Sequence, residues 1–315
     1  MLSKEFEVEA KESVILDELL TINDYLRWTM SRFNEANIFY GHGTDSSWDE
    51  AVHLVLELIK LPIDIDERVL NATLTRSERL LIIRCVYRRV IERTPLPYLT
   101  NVSWFAGMKF YVDERVIVPK SPIGELIRND FSPWVEKADI KTALDLCTGS
   151  GCIGIGMASV FPDAHITISD ISKDALEVSK RNVKDYYLKD RVSIIESDLF
   201  ANLDGAHYDL IISNPPYVDK EDLKSMAEEY KKEPLLALQA GDDGLDIVRR
   251  ILKQAPHHLN DGGILIVEVG NSQYALQEAF PSVPFTWINF TDGGDGVFIL
   301  TLDELLKYHE EFLKR

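Results

Sequence analysis

Basic residues and cysteines are both scarce in this sequence. Thirty-four Lys and Arg stand against 52 Asp and Glu, giving a formal charge of −18 over 315 residues. Such a surface does not hold nucleic acid by non-specific phosphate contacts and better suits a basic partner or a small molecule. The three cysteines, Cys85, Cys147 and Cys152, cannot all pair with one another, and no Cys-x-x-Cys spacing occurs. They read as reduced thiols of a cytoplasmic protein. The seven histidines include the adjacent His257 and His258 but no His-x-x-x-His or Cys/His cluster, so no metal is expected. The first 20 residues are acidic throughout and lack the basic start and apolar core of a secretory signal. Apolar runs such as 264–267 fall far short of the roughly 20 residues that cross a bilayer.

What is present supports a folded chain: 45% apolar and 27% charged residues can fill one large core or two unequal ones. Ile15, Leu19, Ile22, Leu26, Met30 and Phe33 recur at spacings of three and four and predict one face of a helix. Ser47-x-x-Glu50 and Thr75-x-x-Glu78 have the capping-box form, in which hydroxyl and carboxylate satisfy free N–H groups at a helix start. Pro95 and Pro97 end the last of these helices. A helical domain over 1–98 is expected. Aromatic and β-branched residues between Trp104 and Pro119 predict a hairpin in a linker spanning 99–120, and 121–315 form the larger domain.

In that larger domain strands alternate with helices. Strands are expected at 142–147, 165–170, 192–196, 208–213 and 264–269, with helices at 152–160, 172–185 and 245–258 and a short one after Asn271. This is the rhythm of an α/β fold with a parallel sheet. Strands at 285–290 and 297–301 flank Asp292-Gly293-Gly294-Asp295-Gly296 and should close the sheet as an antiparallel hairpin.

The strand ending at Cys147 runs into Thr148-Gly149-Ser150-Gly151 and then a helix, where a ligand can touch the backbone. Gly149, Gly151 and Gly154 satisfy Gly-x-Gly-x-x-Gly. Asp170, 21 residues after Gly149, ends the next strand, where an acid can bind ribose hydroxyls. Those glycines alone admit a nicotinamide cofactor as readily as a methyl donor. After the fourth strand comes Asn214-Pro215-Pro216-Tyr217, at the edge where such sheets bind ligands. Its prolines fix φ and lack N–H donors, so the Asn214 side-chain oxygen and the Pro215 carbonyl can accept both hydrogens of a planar NH₂ group. Tyr217 adds a flat face for a planar substrate or a sulfonium charge.

Asp145, four residues before Gly149, completes a pattern that resembles the first motif of class I methyltransferases. The tetrapeptide resembles that of the methyltransferases acting on adenine, guanine or glutamine amines. Glu233-Pro234-Leu235, Ala237-Leu238, Gly241 through Gly244-Leu245, Pro97-Tyr98-Leu99-Thr100 and Val118-Pro119-Lys120 are similar to the N(5)-glutamine methyltransferases of the HemK/PrmC and PrmB group. That group often has Arg where this chain has Lys120. Ile38 through Asp45, Trp48-Asp49-Glu50-Ala51, Ser121 through Ile127 and Gly293 through Phe298 resemble the PrmB branch.

The resemblance implies a class I methyltransferase fold: a Rossmann-like, mostly parallel seven-stranded sheet with a C-terminal antiparallel hairpin, plus a small helical substrate-recognition domain. It implies S-adenosylmethionine held by Asp145, Cys147, Thr148, Gly149, Gly151, Asp170, Asp198, Leu199 and Asn214. Asp198 would face the adenine, with Leu199 packed beside it. The catalytic residues would be Asn214, Pro215 and Tyr217, with the substrate held by Asn214, Pro215, Pro216 and Tyr217. The implied acceptor is a glutamine of large-subunit ribosomal protein L-three, whereas the sister branch modifies release factors. An adenine methyltransferase would need a basic recognition region, and a non-catalytic assembly factor would not need the full set of site residues. Arg76, Arg79, Arg84, Arg88, Arg89 and Arg93 form a basic island read first as a solvated helix face and second as a contact for ribosomal RNA.

Overall fold

The computed structural model describes residues 13–314, which fall into two compact units. The helical unit takes the chain as far as Asn101 together with residues 227–232, and the sheet unit takes the rest.

In the helical unit, α1 (Ile22–Ala36), α2 (Ser47–Leu58), α3 (Arg76–Ile91) and α4 (Leu96–Thr100) surround a core that includes Tyr25, Phe33, Leu54, Ile82 and Val86. The predicted stripe from Ile15 to Phe33 does not lie on one helix. The chain leaves its first helical turns after residue 18, and Thr21 restarts it as N-cap of α1 in a full capping box with Asp24. The cap predicted at Ser47 sits one residue earlier, because Ser46 accepts the Asp49 N–H. Glu50 is turned inward instead, where it binds Arg89 and the Thr44 hydroxyl. Thr75 and Glu78 do form the expected box. Pro95 does not simply stop the chain. It caps α4, whose early Pro97 needs no N–H partner.

Arg89 is 1% exposed and pairs with Glu50 and, at 3.2 Å, with Glu229 of the 227–232 segment. The Phe39 N–H also donates to Glu229 (3.1 Å). Charge neutralisation of this kind is what permits an arginine in a core.

The sheet unit opens with the hairpin β1 (Ser103–Phe105) and β2 (Met108–Phe110), whose Ala106-Gly107 turn has positive φ at both residues. Residues 102–120 pack within this unit: Phe105 and Phe110 share a core with Ile123 and Ile153, and Asn182 hydrogen-bonds both the N–H and the carbonyl of Tyr111. The seven-stranded sheet has the order β5-β4-β3-β6-β7-β9-β8. Strands β3 (Thr142–Leu146), β4 (His165–Asp170), β5 (Val192–Glu196), β6 (Tyr208–Ser213) and β7 (Leu259–Glu268) run parallel. β9 (Val297–Thr301) is antiparallel to β7 and to β8 (Thr286–Trp287), as expected of the closing hairpin, although β8 is shorter than the predicted 285–290.

Alternation along the strands separates two cores. Ala143, Leu210, Ile212 and Ile266 enter one cluster, and Leu144, Leu146, Ile211, Leu265 and Val267 the other. Strand order reverses between β3 and β6, which is where open sheets of this kind bind ligands.

Candidate active site

The turn after β3 is built by backbone conformation. Cys147, Gly149 and Gly151 have φ of +63°, +55° and +83°. A Cβ added at Gly149 would meet no atom within 4 Å, so the backbone there borders open space. One added at Gly154, in helix α5 as it follows that turn (Cys152–Val160), would overlap Ile168 of β4, so this glycine serves close packing of helix on strand.

Asp145 is fully buried, and burial pushes its carboxyl up to about 7. Its Oδ2 accepts the Thr148 hydroxyl and the Gly154 N–H (2.8 Å), joining the two ends of the turn. Its Oδ1 has no hydrogen-bond partner among the described residues. Asp170 accepts the Gly149 N–H (2.9 Å) on Oδ2 and the Ser172 N–H (2.9 Å) on Oδ1. Burial raises its pKa, and these N–H groups oppose the rise. Each oxygen keeps a second lone pair for a ligand. Burial also raises the Cys147 thiol, with the nearby Asp170 charge adding to the effect.

After β5, Asp198 is exposed and held by Arg250 at 2.8 Å. Leu199 stands at φ +50° and is buried in the cluster with Leu146 and Phe200.

β6 carries the tetrapeptide. Its pairing of Ser213 with Leu146 sets Asn214 just past the register of the β3 terminus, and the Ser213 hydroxyl donates to the Leu146 carbonyl (2.7 Å). Asn214 is half-buried, and Pro215 is buried. Among the described residues no hydrogen bond uses the Asn214 carboxamide or the Pro215 carbonyl.

Tyr217 is pinned. Its hydroxyl donates to Glu268 Oε1 (3.0 Å), its carbonyl accepts from the Ser272 hydroxyl (2.8 Å), and a Cβ at Gly270 would stand 2.6 Å from its ring. Gly244, whose Cβ would overlap the Tyr217 carbonyl and Ser272, belongs to the same packing. Glu268 ends β7 with 3% exposure and also accepts the Ser121 hydroxyl. Burial pushes its carboxyl up to about 7, against the pull of Ser121, Tyr217 and the Lys120 charge. Lys120 lies 3.9 Å from the buried Glu233.

Ser121 begins one of the four segments read as branch-specific, and that segment meets the start of another, 293–298. Glu125 accepts both N–H groups of Thr291 and Asp292, and Gly294 abuts Pro122. Sequence reasoning missed Glu268. The available signal was an acid closing the apolar run 264–267 two residues before Gly270.

Three of the six arginines in the basic island are committed internally: Arg89 to the two acids, Arg79 to the Leu16 and Leu19 carbonyls, and Arg93 to Glu229 and the Ala36 carbonyl. Arg76, Arg84 and Arg88 are exposed.

The model of the methyltransferase small domain matches residues 132–233. A ribosomal protein uL3 glutamine methyltransferase of Francisella tularensis subsp. tularensis is 55% identical over 307 residues, covering 97% of this chain and 98% of its own. One from Neisseria gonorrhoeae is 50% identical over 291 residues, covering 92% and 97%. A solved methyltransferase from Pyrococcus furiosus covers 62% of this chain and 89% of its own at 18% identity, with a TM-score of 0.45. Two relatives at half identity or more, matched over nearly their whole length, put the chain in the family of ribosomal protein uL3 glutamine methyltransferases.

Proposed function

We propose that this protein methylates the side-chain amide nitrogen of a glutamine on uL3, with S-adenosylmethionine as donor. The observation that carries the reading is the pair of unused acceptors, the Asn214 carboxamide oxygen and the Pro215 carbonyl, at the switch point beside the glycine turn. The residues present fit the donor. Open space at Gly149 and the unpartnered Asp145 Oδ1 leave room and polar capacity for it, and Asp170 has lone pairs to spare. S-adenosylmethionine supplies a methyl group on a positively charged sulfur that departs as a neutral thioether.

An amide nitrogen is a poor nucleophile because its lone pair is delocalised into the carbonyl. Asn214 and Pro215 each accept one N–H of the glutamine amide, fixing the nitrogen in line with the methyl and favouring a more pyramidal geometry. As the bond from sulfur to the methyl carbon breaks, the nitrogen gains the methyl and sheds one of its two protons to solvent water. Positioning of this kind can supply on the order of 7–11 kcal/mol, and acceptors aimed at developing N–H positivity a few more. Asn214→Ala should lower turnover by roughly 100- to 1000-fold, with a far smaller loss of donor affinity by calorimetry. A variant that keeps wild-type turnover contradicts the assignment.

A uL3 acceptor goes with a cytoplasmic location. A supporting contact with ribosomal RNA rests on Arg76, Arg84 and Arg88 alone. Reversing those three charges should weaken turnover on an RNA-bound acceptor and leave turnover on free uL3 unchanged. Equal effects on both contradict it.

A further inference from the structure

We propose that Glu268 is a positioning residue for methyl transfer, holding the Tyr217 phenol and, through it, the turn that carries the Asn214 and Pro215 acceptors. The inference deepens the function proposed above and rests on it. Register gives the first reason: Val267 pairs with Ser213, so the next residue on each strand, Glu268 and Asn214, ends side by side at the same sheet edge. Connectivity gives the second. Only Pro215 and Pro216 separate Asn214 from Tyr217, and both have fixed φ, so few soft dihedrals stand between a displacement of the tyrosine and the Pro215 carbonyl.

The turn is clamped from both ends. Upstream, the Ser213 hydroxyl ties β6 to the Leu146 carbonyl; downstream, the Val218 N–H donates to the Leu238 carbonyl (2.8 Å) and the Ala240 N–H to that of Val218 (3.0 Å). Between these clamps Tyr217 is fixed by Ser272 on its carbonyl, Gly270 under its ring and Glu268 on its hydroxyl. The Glu268 bond holds the phenol oxygen at the far end of the ring.

A carboxyl at 3% exposure is costly to bury, and an apolar residue there would extend the run Ile264-Leu265-Ile266-Val267 without that cost. What the carboxyl alone provides is two acceptor oxygens facing two hydroxyls, those of Tyr217 and Ser121. Ser121 in turn accepts the Ile123 N–H (3.1 Å), so Glu268 joins the tetrapeptide to the 121–125 segment and thereby to the loop at 291–296.

The test uses the full chain as wild type, Glu268→Ala, Glu268→Gln, Tyr217→Phe and the Glu268→Ala/Tyr217→Phe double variant. Each is assayed on purified uL3 at saturating S-adenosylmethionine for kcat and KM, with donor affinity measured by calorimetry. Glu268→Ala and Tyr217→Phe should each lower kcat roughly 10- to 100-fold, with donor affinity within about threefold of wild type. The double variant should be no slower than Glu268→Ala, because both changes remove the same Tyr217–Glu268 hydrogen bond. Glu268→Gln should regain most of the rate, since its carboxamide can accept from Tyr217 and donate to Ser121.

Additive losses, a wild-type kcat in Glu268→Ala, or a loss confined to donor affinity would overturn the proposal. If Glu268→Ala does not fold, Tyr217→Phe and Glu268→Gln carry the test: the first must be slow and the second fast. Wild type in the same assay reads the function itself. If it modifies another glutamine protein and not uL3, the acceptor assignment fails while the same ordering is still required on that protein. A wild type that modifies neither overturns both.

Discussion

Glu268 shows what a single buried carboxyl does to the energetics of this site. Burial raises its pKa from the ordinary 4.5 to about 7, with Lys120, Ser121 and Tyr217 opposing the rise. The unfolded chain therefore gives up this proton at lower pH than the folded one. Its contribution to stability is whole below about pH 4.5 and is lost as pH rises through 7. Asp145 and Asp170 shift in the same direction, so wild type alone mixes these groups. The difference between wild type and Glu268→Gln separates them. Measured by urea unfolding, the variant should gain on wild type as pH rises from 4.5 to above 7, and a difference flat with pH contradicts an ionisable carboxyl buried at this position. Asn214 is the opposite case: its carboxamide is neutral at every pH of interest, and its value lies in having no hydrogen-bond partner among the described residues.

At the scale of elements, the glycine turn after β3 divides into two jobs that a pair of substitutions can separate. Gly154→Ala forces a methyl group into Ile168 and should cost about 1–3 kcal/mol of stability. Gly149→Ala projects into open space, so its packing cost is small. Its φ of +55° adds strain of about 1–2 kcal/mol, and the methyl occupies the space assigned to the donor. Calorimetry should find donor binding lost in Gly149→Ala and retained in folded Gly154→Ala; the reverse pattern contradicts the division.

Elements of this kind were readable in advance because their signals are local. Strand, glycines, helix and second acid follow one another within 26 residues, 145 to 170, and two prolines after a strand announce a rigid turn. Signals that depend on distant partners were not. The 3.6-residue stripe ran on through Thr21 because periodicity does not register a cap that restarts the helix. Ser46 and Ser47 look equivalent until Arg89, 39 residues away from Glu50 in sequence, takes Glu50 from the cap. Glu268 meets Ser121 across 147 residues and Tyr217 across 51, separations that no local pattern encodes.

On the scale of the whole molecule, an acidic chain carries the one fully buried arginine among its described residues where acids meet it. Arg89, read at first as one member of a basic helix face, is the centre of the helical unit: its guanidinium holds Glu50 and Glu229, and its NH2 group donates to the Phe39 carbonyl (2.8 Å). Arg89→Leu leaves Glu50 buried without a cation and Glu229 with Arg93 alone, and should destabilise that unit by about 3–5 kcal/mol in denaturant unfolding; a change below about 1 kcal/mol would mean the network adds nothing beyond a surface pair. The 227–232 segment, anchored there through Glu229, begins ten residues after Tyr217 in the chain.

The most direct test of the account is mass spectrometry of purified uL3 and of a peptide release factor after incubation with this protein and S-adenosylmethionine, with fragmentation to locate any added methyl. The expected result is one methyl on a glutamine amide of uL3, absent with Asn214→Ala, and none on the release factor. A methyl on the release factor alone, or on neither protein, would contradict it.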